Sequence, residues 1–551
     1  MVPLRPLTAR LAACGAILVL SALYYGTYAM AGFNYADDGN YAQIAYELAL
    51  GRNIHDLAVN YGLLWFKLGE WLFRLFGVDF ALVRGLFFAC IAATNLLVFA
   101  AVLSFGGSLP FALAVTAVPL LVPAFPATAF YGLCVTLNAA AQMRLARRLP
   151  SCRPLDAGLA GAALALTFLI RPDFGFVFAA PLMLIVALSG SGRRRPVALA
   201  AAVGFLAALA PVAAAGAAGG YLDLIVQPFL DYPRLMIDYA TGGLHRLLDE
   251  DDAAAVTAAA TFLERPGLRA IFRADTAAFA LLVYLPLLGL AGFATAVGLT
   301  LPRRIAAGRR DRLAQAAVAF CAALAALPHY FLFRPDMSHI ANFMPGFMLM
   351  AAFLLCRLPR ILTTAPARAA GGALAAVLLL NAGLYVAVGL RSGATGGIGI
   401  AAERTEDFTA RNGVAVKVAP AELAQLEALR AAIEAHSAAG DRIVCLPYCP
   451  GLAFMTARRM LLGTFYADDS FPLRTPHWIA DTIAATRAAR PPLVIVMDLA
   501  INGTEASRFG VWARAYVDAV AALAVRTIPV PGGTVYVLGP EPQGADPQGR
   551  T

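Results

Sequence analysis

Residues 33–52 read FNYADDGNYAQIAYELALGR and follow an apolar run that ends near residue 31. Two adjacent aspartates, Asp37 and Asp38, therefore stand among tyrosines and asparagines just where the chain leaves that run. Whether the run crosses a membrane decides the fold, because it sets the compartment and the surroundings of both carboxylates.

The remaining sequence answers that question. Of the 551 residues, 60% are hydrophobic and 14% charged, against about 45–50% and about 25% in ordinary soluble domains. A bilayer crossing takes about 20 mostly apolar residues. Such runs recur at 11–31, 82–104, 109–125, 127–143, 156–171, 174–190, 197–218, 276–300, 313–333, 340–357 and 369–390. The expected fold class is mainly α: a polytopic membrane helix bundle of eleven crossings, followed by a C-terminal soluble α/β domain. Two alternatives stay open. The proline-broken VPAFPATAFYG makes 109–143 one re-entrant passage, or Ala29-Met30-Ala31 ends a cleaved signal peptide whose basic n-region holds Arg5 and Arg10. The length of the first apolar stretch favours an anchor.

The net charge of +9 does not point to a nucleic-acid partner, because the arginines cluster in short loops between apolar runs. With eleven crossings, MRLARRLPSCRP, SGSGRRRP, PRRIAAGRRDR and RLPRILTTAPAR fall on one side with Arg5 and Arg10. That side is cytoplasmic by the positive-inside rule. The N-terminus is then inside, the C-terminus outside, and the aspartate pair outside. A bias to Ala, Leu and Arg points to a bacterial chain and hence to the inner membrane. The division expected is a bundle over 1–391 with outer loops at 32–81 and 219–275, and a periplasmic α/β domain over 392–551.

Within the first outer loop, YAQIAYELALG and LLWFKLGEWLFRLFG have the spacing of helices that lie on the bilayer. In the second, YLDLIVQPFLDYPRLMIDY suggests another. The run Asp249, Glu250, Asp251 and Asp252 reads as a solvated turn, since no EF-hand framework surrounds it. The tail alternates helix AELAQLEALRAAIEAH, strand RIVCLP, helix HWIADTIAATRAAR, strand LVIVMD, helix WARAYVDAVAALA and a hairpin at VPGGTVYVLG. Cys445 and Cys449 of CLPYC are either a short-loop disulfide or two thiols.

Two further polar clusters follow outward-exiting runs: TFLIRPDFG, with Arg171 and Asp173, and PHYFLFRPDMSH, with His329, Arg334, Asp336 and His339. Interface anchoring accounts for either tripeptide alone, with arginine snorkelling, proline ending a helix and aspartate capping the next. It does not account for arginines on the face that the positive-inside rule depletes of them. Likewise Asp37 and Asp38 cap a helix starting near Asn40, but a cap uses one carboxylate.

Transfer of a sugar from a polyprenyl phosphate needs a base for the acceptor hydroxyl and cations for the leaving phosphate. Asp37, or Asp38 beside it, supplies the base. Arg171 and Arg334 supply guanidinium groups that bind two phosphate oxygens at once, with Asp173, Asp336 and His339 shaping the pocket.

These residues resemble the opening of the GT-C superfamily of membrane glycosyltransferases. The resemblance is closest to the family 39 group of protein O-mannosyltransferases, aminoarabinose transferases and lipopolysaccharide-core relatives. It is carried by the pair after the first crossing, GNYAQIAYELALGR, YGLLWF, LFRLFGVDFALVRGLFFA, the two Arg-Pro-Asp tripeptides, NFMPGF and CLPYCPGLAFMTARR. It implies that Asp37 is the catalytic aspartate, that Asp38 takes the family's glutamate position, and that Tyr41 is the pocket tyrosine. It also implies an inverting transfer from a polyprenyl-phosphate-linked sugar to a lipid, glycan or protein acceptor, with no certain cofactor and a divalent metal optional. The chain departs in having Asp-Asp for Asp-Glu and in lacking a proline-rich segment near VNYGLLWF. The alternatives are a flippase or transporter of lipid-linked sugar, and an inactive assembly subunit of the same fold.

Overall fold

A computed structural model describes residues 4–58, 62–230, 266–306, 308–333, 335–361, 365–392, 398–468, 475–501 and 505–538. Thirteen helices are labelled up to residue 392: α1 Leu4–Gly26, α2 Asp37–Ala49, α3 Leu63–Phe76, α4 Phe80–Ser104, α5 Leu109–Leu121, α6 Phe130–Ala146, α7 Pro154–Ile170, α8 Pro172–Leu188, α9 Arg194–Ala218, α10 Ala277–Ala306, α11 Arg310–Leu327, α12 Met337–Ile361 and α13 Ala365–Ser392. Each predicted apolar run coincides with one of them. Among the described residues seven helices are long and apolar enough to cross a membrane, and α5, α7 and α8 are shorter apolar helices. The protein is a multi-pass membrane helix bundle with a C-terminal α/β region.

One helix boundary moves through a distant contact, and two readings left open are decided at the level of secondary structure and covalent bonding. The first helix ends at Gly26 rather than near residue 31, because Met30 and Gly32 bond instead to Lys417 of the tail, as an added strand would. The stretch 109–143 is two helices, separated by a 3₁₀ turn at Pro126–Thr128. Cys445 and Cys449 are both free and buried, so no disulfide closes CLPYC. The acidic run 249–252 lies outside the described residues, as does Arg334. In α3 the amphipathic expectation holds: Lys67 and Arg74 pair with Glu70 at 2.7 and 2.9 Å, while Trp71, Leu75 and Phe76 stay exposed.

The chain forms two compact units. One comprises Met1–Ala29, Tyr61–Trp65 and Leu86–Ile400; the other comprises Met30–Asn60, Phe66–Gly85 and Ala401–Thr551. Most of the stretch 32–81 thus groups with the tail. In the first unit, Gly62 lies so close to the end of α7 that a Cβ there would stand 2.3 Å from the carbonyl oxygen of Leu169, and its N–H donates to Ile170. Gly62 is thereby pinned to the residue before Arg171.

The second unit has its own core. In the tail, β1 Glu406–Thr409 pairs with β2 Ala415–Val418 as a hairpin. A five-stranded sheet follows in the order β4-β3-β5-β7-β6. Here β3 is Arg442–Leu446, β4 Arg459–Met460, β5 Leu493–Met497, β6 Ala524–Val530 and β7 Gly533–Leu538. The pairs β3–β4 and β3–β5 are parallel, and β7 runs antiparallel to both β5 and β6. Both parallel neighbours of β3 return through a crossover, which the sequence meets with helical segments. Val444, Leu446, Val494, Trp478, Phe509, Tyr516 and Val520 make one continuous apolar cluster.

The short helix α14, Pro450–Met455, follows β3 and crosses α2 at a glycine pair. A Cβ on Gly451 would lie 2.6 Å from the Cα of Tyr35 and 2.9 Å from that of Gly39, and the Gly451 N–H donates to the Tyr35 carbonyl at 2.8 Å. Only two residues without side chains let the backbones meet so closely. At the far end of α2, fully buried Glu47 accepts from the N–H of Met460 at 2.6 Å and from Arg459 Nε at 3.1 Å. Replacing Gly451 by alanine overpacks this crossing and is expected to cost about 1–3 kcal/mol, read as a lower urea midpoint in the fluorescence of Trp478 and Trp512 in detergent-solubilised protein.

Candidate active site

Both aspartates lie in the first helical turn of α2. The helix starts at Asp37 rather than near Asn40, its N-cap is Ala36, and no side chain caps from that position. Asn34 does the capping instead: its Oδ1 accepts from the N–H groups of Ala36 and Asp37 at 2.9 and 3.0 Å. Freed from that task, the carboxylates diverge. Asp37 is half-buried; its Oδ2 accepts from Asn34 Nδ2 at 3.2 Å and its Oδ1 from the Tyr448 hydroxyl at 2.9 Å.

Asp38 is 2% exposed and its Oδ2 pairs with Arg84 at 2.6 Å, while Oδ1 has no hydrogen-bond partner among the described residues. The same Arg84 nitrogen donates to the Gly32 carbonyl at 2.7 Å. Burial pushes the Asp38 carboxyl up to about 6 from 3.8; Arg84 opposes that shift and Asp37 adds to it. A half-buried carboxylate thus sits beside a buried one that holds its proton more tightly than an ordinary aspartate does. Tyr41 is buried one turn on, stacked on Phe66 at 5.9 Å and packed against Gly69.

In the first unit, Arg171 ends α7 and Asp173 opens α8. The guanidinium binds both Asp173 oxygens, with Nε at 2.9 Å and a terminal nitrogen at 2.6 Å, and it also donates to the Tyr131 hydroxyl. His329, on a π-helical turn at Pro328–Phe333, places Nε2 2.9 Å from Asp173 Oδ2 and against Arg171. The arginine lies over the rings of Tyr131 and Phe174, at 4.2 and 4.9 Å. Arg171 and Asp173 are 3% and 4% exposed, so this is a closed ion-pair network rather than an interface anchor.

The second tripeptide behaves differently. Asp336 accepts from the N–H of His339 at 2.9 Å, which caps α12, and lies 2.8 Å from its ring Nδ1. Capping is therefore realised at Asp336 and not at Asp173. Among the described residues no group of three or more His, Cys, Asp or Glu side chains is arranged to hold a metal.

The structure therefore brings together Asp37 with Asp38, Arg171 with Asp173, and Asp336 with His339. Sequence reasoning missed Asn34, Arg84, Tyr131 and Tyr448, and gave His329 no role of its own. Arg84 alone had a signal: a single charge inside the apolar LVRGLFF, where it is costly unless paired.

Two outcomes are expected. Between about pH 4 and about pH 6 the folded protein keeps a proton on Asp38 that the unfolded chain has lost, so this group makes stability fall as pH rises through that window. Asp38→Asn carries a neutral group at every pH and is expected to flatten that slope in chemical denaturation. Arg171→Met leaves Asp173 buried and uncompensated and is expected to cost about 3–5 kcal/mol; Arg171→Met with Asp173→Leu recovers most of it, read as thermal unfolding in micelles.

No family model and no curated protein matches the chain. Among solved structures it is similar to ArnT from Cupriavidus metallidurans bound to undecaprenyl phosphate, at 13% identity and a TM-score of 0.47 over 97% of this chain and 99% of that one. The apo form of that protein gives 13% and 0.48 over 96% and 100%. The archaeal oligosaccharyltransferase AglB from Archaeoglobus fulgidus, in complex with an inhibitory peptide and a dolichol-phosphate, gives 13% and 0.47 over 96% and 74%.

Proposed function

We propose that the protein is an inverting glycosyltransferase of the GT-C kind. It moves a sugar from a polyprenyl-phosphate donor to a lipid, glycan or protein acceptor of the cell envelope. The observation that carries this reading is the pair after the first apolar helix: Asp37, half-buried and oriented by Asn34 and Tyr448, beside Asp38, which is buried on Arg84. One carboxylate is left accessible and aimed, while its neighbour is secured. That is the asymmetry a general base requires.

In the proposed reaction Asp37 takes the proton of an acceptor hydroxyl as its oxygen attacks the anomeric carbon. The bond from that carbon to the phosphate oxygen breaks, and the electron pair leaves with the polyprenyl phosphate. A single displacement of this kind inverts the anomeric centre. We assign the lipid phosphate to Arg334. Arg171, already shared between both oxygens of Asp173 and the Tyr131 hydroxyl, is assigned to holding Asp173 and His329 in place. The positive-inside count supports eleven crossings of the bacterial inner membrane, with the aspartate pair and the tail in the periplasm.

The test is complementation of a deletion strain, with comparative mass spectrometry of its glycans and lipids. Wild type restores the missing sugar. Asp37→Asn is expected to lower transfer by about 100-fold or more, and full restoration by that variant would remove Asp37 from the mechanism.

A further inference from the structure

We propose that Tyr448, supplied by the tail, is a positioning residue for the Asp37 carboxylate; this rests on the reading of Asp37 as the base. Tyr448 stands 411 positions from Asp37 in the chain, yet its hydroxyl donates to Asp37 Oδ1 at 2.9 Å. The contact is built from several sides within one compact unit. Behind the hydroxyl, the Tyr448 ring meets the Tyr466 ring edge-on, with centroids 4.9 Å apart and planes at 89°. The Tyr466 hydroxyl is itself fixed by a hydrogen bond of 2.8 Å to Asp468, a buried carboxylate. Immediately after Tyr448 the chain enters α14, whose Gly451 lies against Tyr35 and Gly39, so the backbone on both sides of the pair is held as well.

The chemistry explains why a donor is useful there. A carboxylate in the first turn of a helix is free to rotate about its Cβ–Cγ bond unless each oxygen has a partner. Asn34 holds Oδ2 at 3.2 Å, which is long for a hydrogen bond, and Tyr448 holds Oδ1 at 2.9 Å. Each bond occupies one lone pair and leaves the other on the same oxygen to accept the proton of the incoming hydroxyl. The phenol thereby fixes the plane of the base without consuming it. A group that acts on orientation alone changes the rate of the chemical step more than the binding of either substrate.

Tyr448→Phe keeps the ring and removes only the donor. With polyprenyl-phosphate sugar and acceptor, kcat is expected to fall about 10-fold while KM for both substrates stays within about two-fold. Independently of turnover, water-soluble carbodiimide followed by peptide mass spectrometry is expected to modify Asp37 several-fold faster in Tyr448→Phe than in wild type. Tyr466→Leu, which withdraws the ring behind Tyr448, is expected to move both readouts in the same direction if Tyr448→Phe expresses poorly. Wild-type kcat together with unchanged labelling in Tyr448→Phe overturns the proposal. A wild type that transfers sugar, an inactive Asp37→Asn and a fully active Tyr448→Phe would overturn the role of Tyr448 and leave that of Asp37. Faster labelling in a protein whose wild type transfers nothing would instead retain the positioning contact and remove the enzymatic reading.

Discussion

A carboxylate withdrawn from water in the first turn of a helix, with a second carboxylate as its chain neighbour, persists only if a cation takes up its charge. Arg84 does this for Asp38 at 2.6 Å, and it also donates to the carbonyl of Gly32, just ahead of the turn. The helix terminus contributes its own positive field. Once Asp38 points inward at Arg84, the register of α2 is set and Asp37 must face the other way. Glu47 then arrives, buried, where the N–H of Met460 and the side chain of Arg459 are waiting for it. One ion pair therefore orients both the accessible carboxylate and the helix that carries it.

The two Arg-Pro-Asp tripeptides show how little a short motif says about its surroundings. In each, proline opens or precedes a helix and aspartate lies near its start. At residue 173 the aspartate turns back to its own arginine and across to His329, whereas at residue 336 it caps the helix and pairs with a histidine three residues on. The difference lies in what the neighbouring elements bring: Tyr131 and Phe174 wall in the first arginine with aromatic faces.

What was legible in the sequence follows the same division. Apolar runs specify helices because a backbone in a bilayer must satisfy its own hydrogen bonds, so every predicted run is a helix, and the alternating tail segments fall on the observed strands and helices. The aspartate pair was legible as unusual, because capping cannot use two carboxylates. Its partners were not. Nothing local marks Tyr448 as the donor to Asp37, or Met460 as the donor to Glu47, since those pairings are made by the tertiary fold across more than four hundred residues. The end of α1 was misjudged for a related reason: Met30–Gly32 are compatible with helix, and only the distant Lys417 draws them into extended pairing.

The unit that holds the aspartates is assembled from three separate stretches of chain, the last of which begins at Ala401. A ribosome delivers those stretches in order, with more than three hundred residues of helical bundle made between the second and the third. Residues 33–52 therefore emerge early and wait for most of biosynthesis without β3, α14 or the tyrosine that grips Asp37. Contacts of such sequence separation form late. Asp37 gains its final orientation only when translation is nearly complete, so a prematurely terminated chain carries the aspartates but not the hydroxyl that orients the first of them.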